Sequence, residues 1–107
     1  MTKAKEESAV QKMVGSVAPK LVELTDDVLF GDVWERKELP PRDRSLITVA
    51  ALIAGGNTEQ LPFHLNKARE NGLSESELIE VITHLAFYAG WPRAMSAVMV
   101  AKKVFNK

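Results

Sequence analysis

The 107-residue sequence contains no cysteine. Disulfide bonds, thiolate-bound metals and thiol redox chemistry are therefore excluded. Histidine is almost as scarce, with two residues, His64 and His84. Since histidine is the side chain whose ordinary pKa lies closest to neutral pH, these two are the first candidates for moving a proton.

The sequence also lacks an excess of charge of either sign. Its 14 basic and 14 acidic residues give a formal net charge of zero. Nucleic-acid-binding domains normally carry a basic surplus, and anionic membrane surfaces attract basic segments. We therefore expect neither nucleic acid nor a membrane as partner.

Long apolar runs are absent as well. The most apolar stretch, residues 46–54, is far shorter than the roughly 20 residues that a membrane-spanning helix needs. The first eleven residues are charged and lack the apolar segment of a secretory signal. We expect a cytoplasmic protein, and the length predicts one domain over residues 1–107.

The pattern of apolar residues predicts an all-α fold of about six helices. No stretch alternates cleanly with period 2, and glycine, proline and capping residues separate the helical segments. The third segment is apolar on nearly every side after Leu46, which is typical of a central buried helix. The fifth begins with a capping box at Ser74 and Glu77. The predicted segments are 3–14, 16–29, 41–54, 59–71 with Thr58 as the N-cap, 75–89 and 92–105. About 34–105 forms the core and 1–30 an N-terminal helical extension.

The predicted bundle has more apolar surface than a chain of this size can bury. The third and fifth segments are apolar over more than one face, and Ile79 and Phe87 fall outside the main apolar stripe of the fifth. We predict that part of this surface packs against another subunit. In the last segment, the positions predicted to point inward are Met95, Val98, Ala101, Val104 and Phe105.

Both histidines fall at the edge of an apolar helix face. His64 lies beside the apolar stripe of the fourth segment, and His84 lies beside that of the fifth. We expect both rings to be partly buried, where neighbouring groups can set their pKa and tautomer. The alternative for His64 is a boundary histidine that packs against the core and makes one hydrogen bond.

Glu80, His84 and Tyr88 follow one another at intervals of four residues and stack along one side of a helix. A carboxylate beside a histidine can orient its ring, and a tyrosine can supply a proton or a hydrogen bond to an anion. The alternative is a surface pair and a core tyrosine, and it is at least as good for Glu80, which lies farther towards solvent.

Arginines stand at the start of two predicted helices. Arg42 and Arg44 flank Asp43 at the start of the third, and Arg93 follows Pro92 at the start of the sixth. A helix N-terminus with an arginine suits an anion. The alternative is ordinary surface charge near a helix end.

Metal and nucleotide sites have no signal in this sequence. The two histidines are not part of a His-x-x-x-His or Glu-x-x-His cluster, so we predict no metal site. Gly55 and Gly56 lack the pattern of a phosphate-binding loop and a preceding strand. We predict no cofactor.

Three stretches resemble the carboxymuconolactone decarboxylase family. Residues 42–52, RDRSLITVAAL, resemble the start of its core motif, and His64 resembles the histidine of the helix that follows. Residues 71–77 and 80–94 resemble its C-terminal signature, of which EVITHLAFYAGWPRA is the specific part. The similarity covers about 34–105.

This resemblance implies an all-helical, alkylhydroperoxidase D-like fold that is usually assembled as trimers or hexamers. The redox branch of that superfamily uses two cysteines ahead of the histidine and a glutamate one helix earlier. The corresponding positions here are Asn57 and Gln60 for the cysteines and about Ser45 for the glutamate. A thiol peroxidase is therefore excluded, and the resemblance is to the decarboxylase branch.

The decarboxylase branch converts 4-carboxymuconolactone to 3-oxoadipate enol-lactone without a cofactor, in the breakdown of aromatic acids such as protocatechuate. The resemblance thus implies a small carboxylated substrate and a homo-oligomer. His64 would be the general acid or electrostatic stabiliser, with His84 and Tyr88 completing the polar lining. The residues expected to bind substrate are Arg44, Arg93 and Glu80.

Two other interpretations remain open because a fold does not fix a function. The chain could act on another small acid or lactone, or it could be a non-enzymatic helical oligomer that binds a ligand or a protein. An enzyme requires a closed, mostly apolar pocket in which His64 and an arginine meet. An interaction module requires only an apolar outer patch.

Overall fold

The computed structural model describes residues 8–107, and helices are the only regular secondary structure in this part of the chain. It contains six α-helices, one π-helix and one 3-10 helix, and no strand. The all-α prediction is therefore confirmed. The helices are α1 (Ala9–Val14), α2 (Pro19–Glu23), a π-helix (Leu24–Phe30), a 3-10 turn (Val33–Glu35), α3 (Pro41–Gly55), α4 (Leu61–Glu70), α5 (Glu75–Tyr88) and α6 (Trp91–Val104).

The chain divides between Glu38 and Leu39 into two compact units. The N-terminal unit contains α1, α2, the π-helix and the 3-10 turn, and the C-terminal unit contains α3 to α6. The single domain expected over residues 1–107 stays a prediction.

The N-terminal unit departs from a regular α-helix after α2. The predicted segment over residues 16–29 becomes a π-helix from Leu24, and the Thr25 hydroxyl donates to the carbonyl of Leu21 at 2.8 Å. Such local bonds compete with the regular helical pattern. The Ser8 hydroxyl caps α1 and donates to Asp26 at 3.0 Å. The predicted start of the first segment, at residue 3, lies outside the described residues.

The C-terminal unit is built around one apolar core. Alanines dominate the inward face of α6, so its backbone packs closely against its neighbours. The core residues are Val49, Ile53, Leu61, Leu65, Ala68, Leu73, Leu78, Ile82, Ala86, Ala94, Ala97, Ala101 and Phe105.

Three contacts fix the directions of the helices in this unit. The Arg42 guanidinium donates to Glu77 at 2.6 Å, so α3 and α5 start at the same end. The Asn71 amide donates to Ser45 at 3.0 Å, so α4 finishes where α3 starts. The Arg93 guanidinium lies against Gly56, so α6 starts where α3 finishes. The starts of α4 and α6 therefore share one end of the unit, and those of α3 and α5 share the other.

Two predicted helix starts have different outcomes. The capping box of α5 is confirmed, because the Glu77 amide donates to the Ser74 hydroxyl at 3.0 Å and the Ser74 amide donates to the Glu77 carboxylate at 2.9 Å. The prediction of Thr58 as the N-cap of α4 is wrong, because residues 58–60 form a turn and α4 starts at Leu61 with Gln60 in the N-cap position. Pro62 explains the shift, because a proline has no N–H and is tolerated in the first turn of a helix.

Two predictions of burial are wrong. Ile47 is exposed although α3 is apolar on most sides, because the buried face of α3 is formed by Ser45, Val49 and Ile53. Met95 is 52% exposed instead of inward. The alanines at 94, 97 and 101 occupy the inward face of α6, and residue 95 is turned about 100° away from residue 94.

Candidate functional site

An open groove runs between α3 and α5 in the C-terminal unit. It has a volume of about 420 Å³ and an apolar floor. The floor is formed by Leu46, Ala50, Leu73, Val81 and Leu85, and the polar lining by Arg42, Glu77, Glu80 and His84. A groove of this size suits a small molecule or a row of side chains.

Arg42 and Glu77 form the polar end of the groove. Arg42 Nη2 lies 2.6 Å from Glu77 Oε2, and Arg42 Nη1 lies 3.7 Å from Asp43 Oδ1. The hydrogen bond from the Ser74 backbone, and less strongly the Arg42 guanidinium, lower the pKa of Glu77. At neutral pH this end of the groove therefore holds an ion pair that joins the first turns of two helices.

His84 and Glu80 lie farther along the same groove, and Tyr88 extends the row. The rings of His84 and Tyr88 stack with centroids 4.8 Å apart and planes at 30°. The spacing of four residues thus brings the predicted row together. The expected partial burial of His84 is wrong, because the buried face of α5 is formed by Leu78, Ile82 and Ala86, and His84 points away from it.

His64 does not line this groove; it lies on α4. Its ring is half-buried and meets the ring of Phe63 edge-on, with centroids 5.0 Å apart. Burial, and then the positive charge of Lys67, lower the pKa of His64. The ring is therefore neutral at neutral pH, and the expected partial burial of His64 is confirmed.

Ser45 and Asn71 connect α3 with the end of α4. Ser45 is fully buried, and its hydroxyl accepts a hydrogen bond from the Asn71 amide at 3.0 Å. A buried polar side chain needs such a partner. Asn71 lies on the same side of α4 as His64, because the two are separated by two helical turns. Arg44 precedes Ser45 on α3 and is partly buried.

The two arginines expected to bind substrate lie at opposite ends of α3. Arg44 stands in its first turn, and Arg93 lies against Gly56 at its C-terminal end. A guanidinium in that second position is favoured by the partial negative charge of a helix C-terminus, which gives Arg93 a structural role of its own.

The structure thus places the predicted site residues in more than one region of the C-terminal unit. Glu80 and His84 share the groove, with Tyr88 stacked on His84, whereas His64, Arg44 and Arg93 do not line it. From the sequence, Arg42 is a candidate for an anion site but is not among the residues expected to bind substrate, and Glu77 is expected only as a capping residue. The available signal was a pair of rows, 42-46-50 and 77-81-85, each with a charge followed by two apolar positions.

Metal ligands do not cluster in residues 8–107. No group of three or more histidine, aspartate or glutamate side chains in this range could hold a metal ion. None of the helices in the same range is long and apolar enough to cross a bilayer.

Comparison with known proteins identifies the family to which this chain belongs. Residues 19–103 match the profile of the carboxymuconolactone decarboxylase family. The chain therefore belongs to this family, as the motifs around residues 42–52 and 80–94 indicate.

Curated relatives narrow the comparison. The chain is 42% identical over 77 residues to the 4-carboxymuconolactone decarboxylase of Acinetobacter baylyi, covering 72% of this chain and 58% of that protein. It is 34% identical over 84 residues to the nitrosuccinic acid decarboxylase of Metarhizium robertsii, covering 78% and 59%. It is 26% identical over 99 residues to an uncharacterized 15.0 kDa protein of Paracoccus denitrificans, covering 91% and 71%. The chain spans less than two thirds of the length of the two decarboxylases.

Proposed function

We propose that this chain is a cofactor-independent decarboxylase of a small carboxylated substrate, with 4-carboxymuconolactone as the first candidate. The observation that carries the proposal is the 42% identity to a protein with that activity. A second relative is also a decarboxylase of a small acid. Decarboxylation is thus the reaction that the two named relatives share.

The reaction sets two requirements on the site. Loss of carbon dioxide leaves an electron pair, which passes into the conjugated system of the lactone. The developing anion needs a hydrogen bond or a positive charge, and one carbon then takes a proton. Each turnover therefore consumes one proton, which must be supplied from water.

His64 and His84 suit different parts of this task. His64 is neutral and half-buried, so its N–H can stabilise a developing anion in surroundings where a hydrogen bond is strong. His84 is exposed and stacked on Tyr88, so it can exchange protons with solvent. We assign His64 as the stabilising group and His84 with Tyr88 as the path for the proton.

Substrate carboxylates require positively charged partners. Arg44 is the first candidate, because it is partly buried and stands in the first turn of α3. Arg93 is the second, although its position against Gly56 also stabilises the fold. Glu80 is proposed to orient the substrate or His84 from within the groove.

The proposal includes a homo-oligomer and a cytoplasmic location. Large apolar side chains are exposed on α5 and α6, among them Phe87, Trp91, Met95 and Met99. Contiguous apolar surface of this kind is typical of interfaces between subunits. For this chain we propose a trimer or a hexamer.

The test is an ultraviolet assay of 4-carboxymuconolactone consumption by the purified chain, with nitrosuccinic acid as the second substrate. We expect turnover of the lactone without added metal or cofactor. Turnover of nitrosuccinic acid alone would replace the substrate but keep the reaction. Turnover of neither, by protein shown to be folded and at the size measured for active relatives, would reject the enzyme and favour a binding module.

A further inference from the structure

Asn71 and Gly72 form the one Asn-Gly pair in the sequence, whereas Asn57, Asn66 and Asn106 are each followed by threonine or lysine. The carbonyl carbon of an asparagine side chain, Cγ, can be attacked by the backbone nitrogen of the next residue. A side chain on that next residue hinders the attack. Since glycine has no side chain, Asn71 is intrinsically the most reactive asparagine of this chain.

The reaction at such a pair needs no enzyme, oxidant or reductant. The Gly72 nitrogen loses its proton and forms a bond to Cγ of Asn71, the bond between Cγ and Nδ2 breaks, and ammonia leaves after Nδ2 has taken up the proton. Water then opens the resulting succinimide ring at either of its two carbonyl groups. The product at position 71 is an aspartate or an isoaspartate, and the isoaspartate has one more methylene group in the backbone.

The turn at the end of α4 keeps the backbone from reacting. Asn71 has a ψ of 7°, which places the Gly72 nitrogen in line with the backbone nitrogen of Asn71, whereas the ring requires it in line with Cβ. The Gly72 N–H donates to the carbonyl of Arg69 at 3.1 Å, and the N–H of the buried Leu73 donates to that of Ala68 at 2.9 Å. This pair of bonds is a common C-terminal helix cap, and the rotation about ψ requires the cap to open.

The side chain of Asn71 is held in place as well. Its amide donates to the Ser45 hydroxyl at 3.0 Å, so Cγ is fixed against α3. Ser45 is fully buried and Asn71 is partly buried, and a buried polar group needs such a partner. Both the backbone and the side chain therefore resist the reaction in the folded chain.

We propose that the Asn71–Gly72 peptide is a site of spontaneous deamidation that the fold holds closed and that reacts when the end of α4 opens. An ionised carboxylate at position 71 cannot donate the hydrogen bond that the Ser45 hydroxyl accepts. It also stands at a helix C-terminus, where a negative charge is unfavourable. The extra methylene group of the isoaspartate breaks the cap itself. Each opening that leads to reaction thus weakens the link between α3 and α4 permanently, whatever reaction the chain catalyses.

Trypsin separates Asn71 from its internal controls, because peptide 70–93 contains no other asparagine and peptide 45–67 contains Asn57 and Asn66. The purified chain is incubated at mildly alkaline pH, in buffer and in guanidinium chloride, and deamidation of each peptide is followed by mass spectrometry against a zero-time sample. In denaturant, we expect peptide 70–93 to deamidate faster than peptide 45–67. In buffer, we expect its rate to be about tenfold lower or less, because only molecules with an open cap react.

Ser45→Ala tests whether the bond from the Asn71 amide contributes to the protection. We expect this variant to deamidate about two- to tenfold faster than the unmodified chain in buffer, the effect of losing one hydrogen bond, and at the same rate in denaturant. Thr48→Ala is the matched control, because Thr48 is also a hydroxyl residue of α3 but donates to the Arg44 carbonyl within its own helix. It should leave both rates unchanged. If Ser45→Ala does not fold, Ser45→Cys replaces it, since a thiol is a weak acceptor.

The consequence for the fold is measured on the modified chain. Deamidation adds one negative charge to a chain of zero formal net charge, so anion exchange separates the two forms. We expect the deamidated form to unfold at a lower denaturant concentration than the unmodified chain. The variant Asn71→Asp should lie between them, because it has the charge without the extra methylene group.

Three results would overturn the proposal. If peptide 70–93 deamidates no faster than peptide 45–67 in denaturant, Asn71 is not a reactive site. If its rates in buffer and in denaturant are equal, the fold does not hold the site closed. If the deamidated form is as stable as the unmodified chain, the reaction does not weaken the link between α3 and α4. An unchanged rate in the Ser45 variants would reject the contribution of Ser45 and assign the protection to the cap alone.

Discussion

The two histidines occupy contrasting surroundings within the C-terminal unit. His64 is half-buried on α4, and burial together with Lys67 lowers its pKa. His84 is exposed in the groove and stacked on Tyr88. The contrast agrees with the two roles proposed for these residues, charge stabilisation by the neutral, half-buried ring and proton exchange with water by the exposed ring.

The largest expected difference is in turnover. We expect His64→Ala to lower kcat for 4-carboxymuconolactone by about 10²–10⁴-fold, the usual contribution of a group that assists proton transfer or stabilises charge. We expect His84→Ala to lower it by about tenfold, because water can partly replace an exposed proton carrier. Both are measured by the ultraviolet assay on folded protein of the same size as the unmodified chain.

The matched controls for turnover are Asn66→Ala on α4 and Thr83→Ala on α5, both exposed. These should retain nearly full activity. A larger loss in His84→Ala than in His64→Ala would reverse the assignment of the two histidines and move the reaction centre into the groove.

The next largest expected effect is on the free energy of unfolding. It compares Leu65, which follows His64, with Leu85, which follows His84. Leu65 is fully buried, and we expect Leu65→Ala to lower the free energy of unfolding by about 2–5 kcal/mol. Leu85 is partly buried, and we expect Leu85→Ala to cost less than about 2 kcal/mol. The two substitutions share one change in helix propensity, so urea titrations compare burial directly. Equal losses would show that the groove is as well packed as the core.

The smallest expected effect is the dependence of stability on pH. The pKa of His64 is lowered from its ordinary 6.5 in the folded chain, so the unfolded chain binds the proton more readily. Stability is therefore retained above pH 6.5 and lost as the pH falls through the folded pKa. Urea titrations between about pH 7.5 and 5, above the range in which carboxylates titrate, should show this slope, a free energy of unfolding that decreases as the pH falls.

His64→Gln should reduce this slope, and His84→Gln controls for the loss of one imidazole elsewhere. A slope unchanged by His64→Gln would mean that His64 is as well solvated in the folded chain as in the unfolded one.

The fold could be predicted well from sequence because its boundaries are marked by local chemistry. The capping box at Ser74 and the prolines at 41 and 92 fix the starts of α3, α5 and α6 to within one residue. Thr58 is a good N-cap type, but Pro62 prevents a helix from starting there. The π-helix after Glu23 leaves no comparable mark in the sequence.

The site could be predicted only where it follows the period of one helix. Glu80, His84 and Tyr88 are brought together by the four-residue spacing alone. The pair of Arg42 and Glu77 is separated by 35 residues, so it depends on α3 and α5 starting at the same end. The exposure of His84 could not be predicted from the sequence. A helical wheel places His84 at the edge of the apolar face of α5, but it does not show whether a neighbouring helix covers that edge.

Gly56 has a consequence for the handedness of the residue at the end of α3. Its φ of 71° is in the left-handed region, and a side chain of ordinary L-configuration would also collide with the Arg93 guanidinium. Both the unfavourable φ and the collision apply to a residue of L-configuration. A D-alanine introduced by chemical ligation would adopt that φ readily and direct its methyl group away from the position that an L-residue's Cβ would take. The end of α3 therefore disfavours an L-side chain through its backbone φ, and the Arg93 guanidinium would have to move to admit one.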